Sequence, residues 1–158
     1  MSTLDPSRHV PEPRGDSGKP VRPSAVFSAD SGTASPGDAR RLAVAYLEDH
    51  CPGADIPAVQ VVLSELVTNA ARHTPEGTWT VTLRHADGML TLQVEDSSPH
   101  LPRARQGDTL DGHGGLGLGL VDSLSDLVTT MRTPRGKAVI AHWKVERDAS
   151  AGQGENPA

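Results

Sequence analysis

Aromatic residues are scarce in this chain, at 3%, which removes the stacking platform that single-stranded nucleic acid binders use. A basic surplus is missing too: 15 Lys and Arg stand against 20 Asp and Glu, a formal charge of −5. Without a basic run to neutralise phosphates, no nucleic-acid partner is expected. Cys51 is the only cysteine, so neither an internal disulfide nor a thiolate zinc site can be built, and a reducing compartment fits best. The plain reading of Cys51 is a small apolar residue near a helix end, not a nucleophile. No apolar run is long enough to span a bilayer, and residues 1–23 hold no signal-peptide core. A cytoplasmic protein without a membrane partner is the expectation. Lysine is rare as well, three against twelve Arg, which together with abundant Ala, Gly and Pro is the composition of a GC-rich bacterial genome such as an actinobacterial one.

What is present is enough for one domain. The 158 residues, 35% of them hydrophobic, allow a single modest core. Residues 1–22 carry Pro6, Pro11, Pro13 and Pro20 among polar residues and glycines. Such a segment cannot bury enough surface to offset its ordering entropy and reads as a disordered tail. Residues 148–158 read the same way, which leaves 23–147 as the folded unit.

Within that unit a short strand is expected at Ala25–Ser28, followed by a helix. Ser35-Pro36-Gly37-Asp38 combines a cap, a first-turn proline and an acidic residue at the third position. Ala39, Leu42, Ala43 and Tyr46 then recur at helical spacing, beside Leu47, until Pro52-Gly53. A second helix spans Pro57–His73, with Val59, Val62, Leu63, Leu66 and Ala70 in one stripe. Trp79, Val81 and Leu83 alternate with polar residues, as do Leu90, Leu92 and Val94, and Asp87-Gly88 between them signals a hairpin. From Ser97 to Gly115 periodicity is lost in a long loop. Leu120, Val121, Leu124 and Val128 suggest a third helix, and Ala138–Val145 a last strand. Helices with mainly antiparallel strands predict a two-layer α/β sandwich.

Three features carry chemistry. Gly112-His113-Gly114-Gly115-Leu116-Gly117-Leu118-Gly119 runs directly into the third helix, so backbone N–H groups can approach an anion there. A flexible linker is the bland alternative, which the apolar helical spacing just after the run argues against. The run contains a formal G-x-G-x-x-G, yet it does not follow the first strand of a βαβ unit, and the chain has no G-x-x-x-x-G-K-[ST]. Asp96 continues the parity of Leu90, Leu92 and Val94, which aims a carboxylate at the apolar face, where it needs a partner. An adenine amino group would serve, and so would a role that merely opens the turn at Ser97-Ser98-Pro99. Glu65 and Asn69, four residues apart, share one side of the second helix at the border of its apolar stripe. They suit a base and a Mg²⁺ ligand, or simply a solvated helix face.

In sequence order these features resemble the GHKL ATPases. Ser64-Glu65-Leu66-Val67-Thr68-Asn69-Ala70-Ala71-Arg72-His73 is similar to their N box, in which Glu is the base and Asn holds Mg²⁺. Asp96 falls where the family places its adenine-binding Asp, and Gly115-Leu116-Gly117-Leu118-Gly119-Leu120-Val121 resembles its phosphate-binding glycine box. The resemblance covers residues 24–146. It implies a Bergerat fold with an ATP lid loop, ATP and Mg²⁺ as cofactors, Glu65 as catalytic base, Asn69 as metal ligand, and Asp96, Gly115, Gly117, Leu118 and Gly119 around the nucleotide. Gly136-Lys137-Ala138-Val139 resembles the closing strand of the single-domain branch that includes RsbW and SpoIIAB. That branch implies a serine kinase acting on a sigma factor and an anti-anti-sigma (STAS-type) protein, with a homodimer allowed. The alternatives are a non-catalytic nucleotide-dependent binding module and a simple ATPase. In one respect the chain departs from the family: Asp96-Ser97-Ser98-Pro99-His100 stands where the first glycine box would be, which bears on the lid. Nothing like a phosphoacceptor helix precedes the domain, which argues against a complete sensor kinase.

Overall fold

The helix starts legible in the sequence are built as side-chain caps. Ser35 Oγ accepts the N–H of Asp38 at 3.1 Å, and the Asp38 carboxylate accepts the N–H of Ser35 at 3.2 Å. This reciprocal box opens helix α1, Pro36–His50. Asp55 Oδ1 accepts the N–H of Ala58 and opens α2, Ile56–His73. The computed structural model describes residues 25–74, 76–99 and 116–146. The two expected tails and most of the loop before the third helix lie outside these residues.

The strands are β1 (Val26–Asp30), β2 (Trp79–Ala86), β3 (Met89–Asp96), β4 (Leu127–Thr133) and β5 (Gly136–Lys144), with α3 (Leu116–Leu124) ahead of β4. They form one sheet in the order β1-β2-β3-β5-β4, and every described pairing is antiparallel. The hairpin of β2 and β3 closes through Asp87 and Gly88, both at positive φ (53° and 74°), the geometry that suits the right-handed twist of the strands. Alternation does the rest. Val81 and Leu83 of β2, Leu90, Leu92 and Val94 of β3, and Val139, Ala141 and Trp143 of β5 face the helices and are buried. Thr80, Thr82, Arg84, Thr91, Gln93 and Glu95 take the other face, exposed or half-buried. The result is the expected two-layer sandwich.

Helix α2 is the central packing element. Val59, Val62, Leu63, Leu66, Val67 and Ala70 are all buried, and each of the Val and Leu side chains contributes about 1.5–3 kcal/mol. Helix α1 packs beside it through Ala39, Ala43 and Leu47, while Leu42 stays exposed. Cys51 is buried at the end of α1, and burial pushes its thiol up, away from the thiolate that a nucleophile needs. One expected element differs. Val128 belongs to β4, not to the third helix, which ends at Leu124. Ser125 and Asp126 break it: Ser125 Oγ donates to the carbonyl of Val121, and Asp126 N–H pairs with the carbonyl of His142 on β5. Among the described residues no helix is long and apolar enough to cross a membrane.

Candidate functional site

Asp96 ends β3 on the inward face, and only 8% of its surface is exposed. A carboxylate in that position is costly unless its oxygens are engaged, and both are. Oδ1 accepts the N–H of Ser98 at 2.8 Å, and Oδ2 lies 3.4 Å from Nζ of Lys137. The inward aim read from parity is observed, and so is the turn-opening bond to Ser98; the partner of the other oxygen within the fold is Lys137. Lys137 is the register partner of Asp96 across the β3–β5 pair. The two side chains are 10% and 5% exposed, Lys137 first. A Cβ on Gly136 would collide with the carbonyl oxygen of Asp96 and come within 2.7 Å of the Cα of Ser97. That contact presses the start of β5 against the end of β3 and holds Lys137 opposite the carboxylate. The Ser97 and Thr78 hydroxyls are 2.8 Å apart beside them.

Glu65 and Asn69 sit on α2 next to the buried Leu66, Val67 and Ala70, and both are half-exposed. Neither side chain makes a hydrogen bond or ion pair to a described residue. Residues 74–78 alone connect the end of α2 to Trp79, and Trp79 pairs with Asp96. The C-terminal part of α2, which carries Asn69, thus lies at the same end of the sheet as Asp96. Arg72 and His73 close this helix in exposed positions, where cations suit the negative end of the helix dipole.

Helix α3 is anchored at its other end. Trp143 Nε1 donates to the carbonyl of Leu124 at 2.7 Å, and Trp143 pairs with Leu90, at the far end of β3 from Asp96. The first turn, with Gly117, Leu118 and Gly119, is the end of α3 opposite this anchor. Leu118 is half-buried and Gly119 is exposed, and among the described residues no atom outside its own helix turn lies within 4 Å of where a Cβ would stand. Packing does not require a glycine at 119, although one in a helix costs about 0.5–1 kcal/mol relative to Ala. Close approach of a ligand to the backbone would require it. Gly115 and the glycines before it, together with His100 of the departed box, fall outside the described residues.

The donor set suits a nucleotide whose phosphates bring most of the metal ligands. Among the described residues no group of three or more His, Cys, Asp or Glu could hold a metal. Asn69 offers one amide oxygen, and a Mg²⁺ held there would take its remaining positions from phosphates and water. Lys137, the neighbour of Asp96, lies one residue before the strand that alternation predicts at Ala138–Val145, although the resemblance places it in the closing strand. The signal was available, because residues 137, 139, 141 and 143 share one parity, the same rule that turned Asp96 inward.

A family model described as a histidine kinase-like ATPase domain matches residues 27–143, the span that holds every described element apart from the edges of β1 and β5. No curated protein matches the chain.

Proposed function

Because the chain belongs to the histidine kinase-like ATPase domain family, we propose that it is a regulatory protein-serine kinase that uses Mg-ATP and captures a protein partner in the cytoplasm. The observation that carries this reading is the Glu65/Asn69 pair, its side chains unengaged by described residues and half-exposed at the border of the buried stripe of α2, on the helix that ends beside Trp79, the partner of Asp96. Asp96 receives the base, Asn69 holds Mg²⁺, and the backbone at Gly115, Gly117, Leu118 and Gly119 cradles the phosphates through N–H groups at a helix start. Glu65 accepts the proton of a serine hydroxyl while that oxygen takes the γ-phosphoryl group and ADP leaves. Phosphoryl transfer asks the protein mainly for positioning and charge neutralisation, which this arrangement supplies. Resemblance to the single-domain anti-sigma-factor kinases supports a sigma factor as the captured partner and an anti-anti-sigma protein as the phosphorylated one.

The test is transfer of labelled phosphate to purified candidate partners. Glu65→Gln keeps the shape and removes the proton acceptor. It should bind Mg-ATP nearly as the wild type does and lose transfer by about 10²–10⁴-fold. Unchanged transfer would remove Glu65 from the role of base. No phosphoprotein from the wild type would favour a non-catalytic binding module, and phosphate release without any partner would favour a simple ATPase.

A further inference from the structure

We propose that Lys137 is a specificity-determining residue: its ammonium donates to the ring nitrogen beside the amino group of adenine, so that the Asp96–Lys137 pair takes adenine and rejects guanine. The proposal rests on the assignment of Asp96 to the base under the proposed function. Lys137 stands opposite Asp96 in register, with Nζ 3.4 Å from Oδ2, and both side chains are nearly buried. The other oxygen, Oδ1, accepts the N–H of Ser98 at 2.8 Å. Oδ2 is therefore the oxygen left to meet a base, and it lies beside an ammonium.

A carboxylate oxygen has room for two donors, and an ammonium carries three donors and no acceptor. Oδ2 can thus hold Lys137 and accept one further proton, while Nζ keeps donors to spare. Among the described residues Asp96 is the only ion-pair partner of Lys137. Across the other edge of β5 its register partner is Arg132, which is exposed and of the same sign. An ionised carboxylate only accepts and an ammonium only donates, so the order of the pair is fixed. On the pairing edge of adenine the amino group and the ring nitrogen are neighbours, a donor beside an acceptor. The amino group donates to Asp96, and the ring nitrogen accepts from Lys137. Guanine carries a carbonyl and a ring N–H at the same two positions, the reverse order, which sets acceptor against acceptor and donor against donor. Gly136 makes the pair rigid, since its missing Cβ is what lets β5 close onto the backbone of Asp96 and Ser97.

Calorimetric titration of the full chain with ADP, 1-deaza-ADP, 7-deaza-ADP and GDP tests the proposal. 1-Deaza-ADP has carbon in place of the ring nitrogen that faces Lys137, and the wild type should bind it about 10–100-fold more weakly than ADP. 7-Deaza-ADP is altered away from the pairing edge and should bind within about threefold of ADP. GDP, with both contacts reversed, should bind at least about 100-fold more weakly. Lys137→Met retains the length of the side chain without its donors, so its 1-deaza penalty should fall below about threefold. Equal binding of ADP and 1-deaza-ADP by the wild type, a loss shared equally by 7-deaza-ADP, GDP binding within about tenfold of ADP, or a full penalty in Lys137→Met would each overturn the proposal. If Lys137→Met fails to fold, the double variant with Asp96→Ala, which removes both buried charges, takes its place. An ionised carboxylate has no proton to give, so a penalty that vanishes there belongs to Lys137, and one that survives comes from another donor and overturns the proposal. ADP binding without a 1-deaza penalty removes this proposal and leaves the ATP-site reading standing; if no nucleotide binds, both fall.

Discussion

Asp96 and Asn69 lie at one end of the same sheet, yet the first is buried with both oxygens engaged, and the second is half-exposed and engages no described residue. Solvent explains the difference. A polar group that water can reach is able to wait for its ligand, whereas a charge removed from water must be satisfied within the fold. The Asp96 side is therefore dry and already paired, and the Asn69 side is wet and open; on the proposed function these are the base end and the metal end. Changes at the dry end should act first on stability, and changes at the wet end should act first on binding and transfer.

The largest effect expected from breaking this contrast is at Asp96. Asp96→Ala leaves the Lys137 ammonium buried without its partner, and removing one member of a buried pair typically costs about 3–5 kcal/mol. Urea unfolding should show that loss, and the double variant with Lys137→Met should recover a large part of it. A double variant as unstable as the single one would mean that the unpaired charge is not the cause. The capping box of α1, whose side-chain hydrogen bonds stay within residues 35–41, serves as a control: Ser35→Ala should cost about 1 kcal/mol and leave nucleotide affinity unchanged. Gly119→Ala should sharpen the wet side in the opposite sense. With open space for its Cβ, it should gain up to about 0.5–1 kcal/mol of stability while weakening nucleotide binding; unchanged affinity would remove the backbone at Gly119 from the phosphate cradle. The smallest effect is in acid. Hydrogen bonds from Ser35 hold the Asp38 carboxyl below its ordinary 3.8. Its contribution is thus complete above that value and is lost as pH falls through the lowered one. Ser35→Ala should accordingly flatten the acid limb of the stability profile, a change read from melting temperatures below about pH 4.

Most of the fold was legible because its signals are local. The Ser35 cap, the α2 stripe from Val59 to Ala70 and the Asp87-Gly88 turn each depend on neighbours in sequence, and each appears as expected. β4 escaped because Leu127–Thr133 has no clean alternation: it is an edge strand with exposed Leu127 and Met131, so burial imposes no period on it. The inward aim of Asp96 came from parity alone. Its partner did not, since the meeting of Asp96 with Lys137 depends on which strand lies beside β3 and in what register. β3 pairs with β5 and not with β4, the strand that precedes β5 in the chain, and that crossover is a property of the whole sheet.

The most direct measurement is calorimetric titration of ADP into the wild type and Asn69→Ala, each with and without Mg²⁺. The wild type should bind in both conditions and more tightly with the metal, and ligand at a hundred times its dissociation constant should add about 2.7 kcal/mol to stability. Asn69→Ala should keep the metal-free affinity and lose the gain that Mg²⁺ brings. No heat from the wild type at millimolar nucleotide, with an unchanged melting curve, would contradict a nucleotide site at this end of the sheet. A full Mg²⁺ gain in Asn69→Ala would contradict the division into a paired base end and an open metal end.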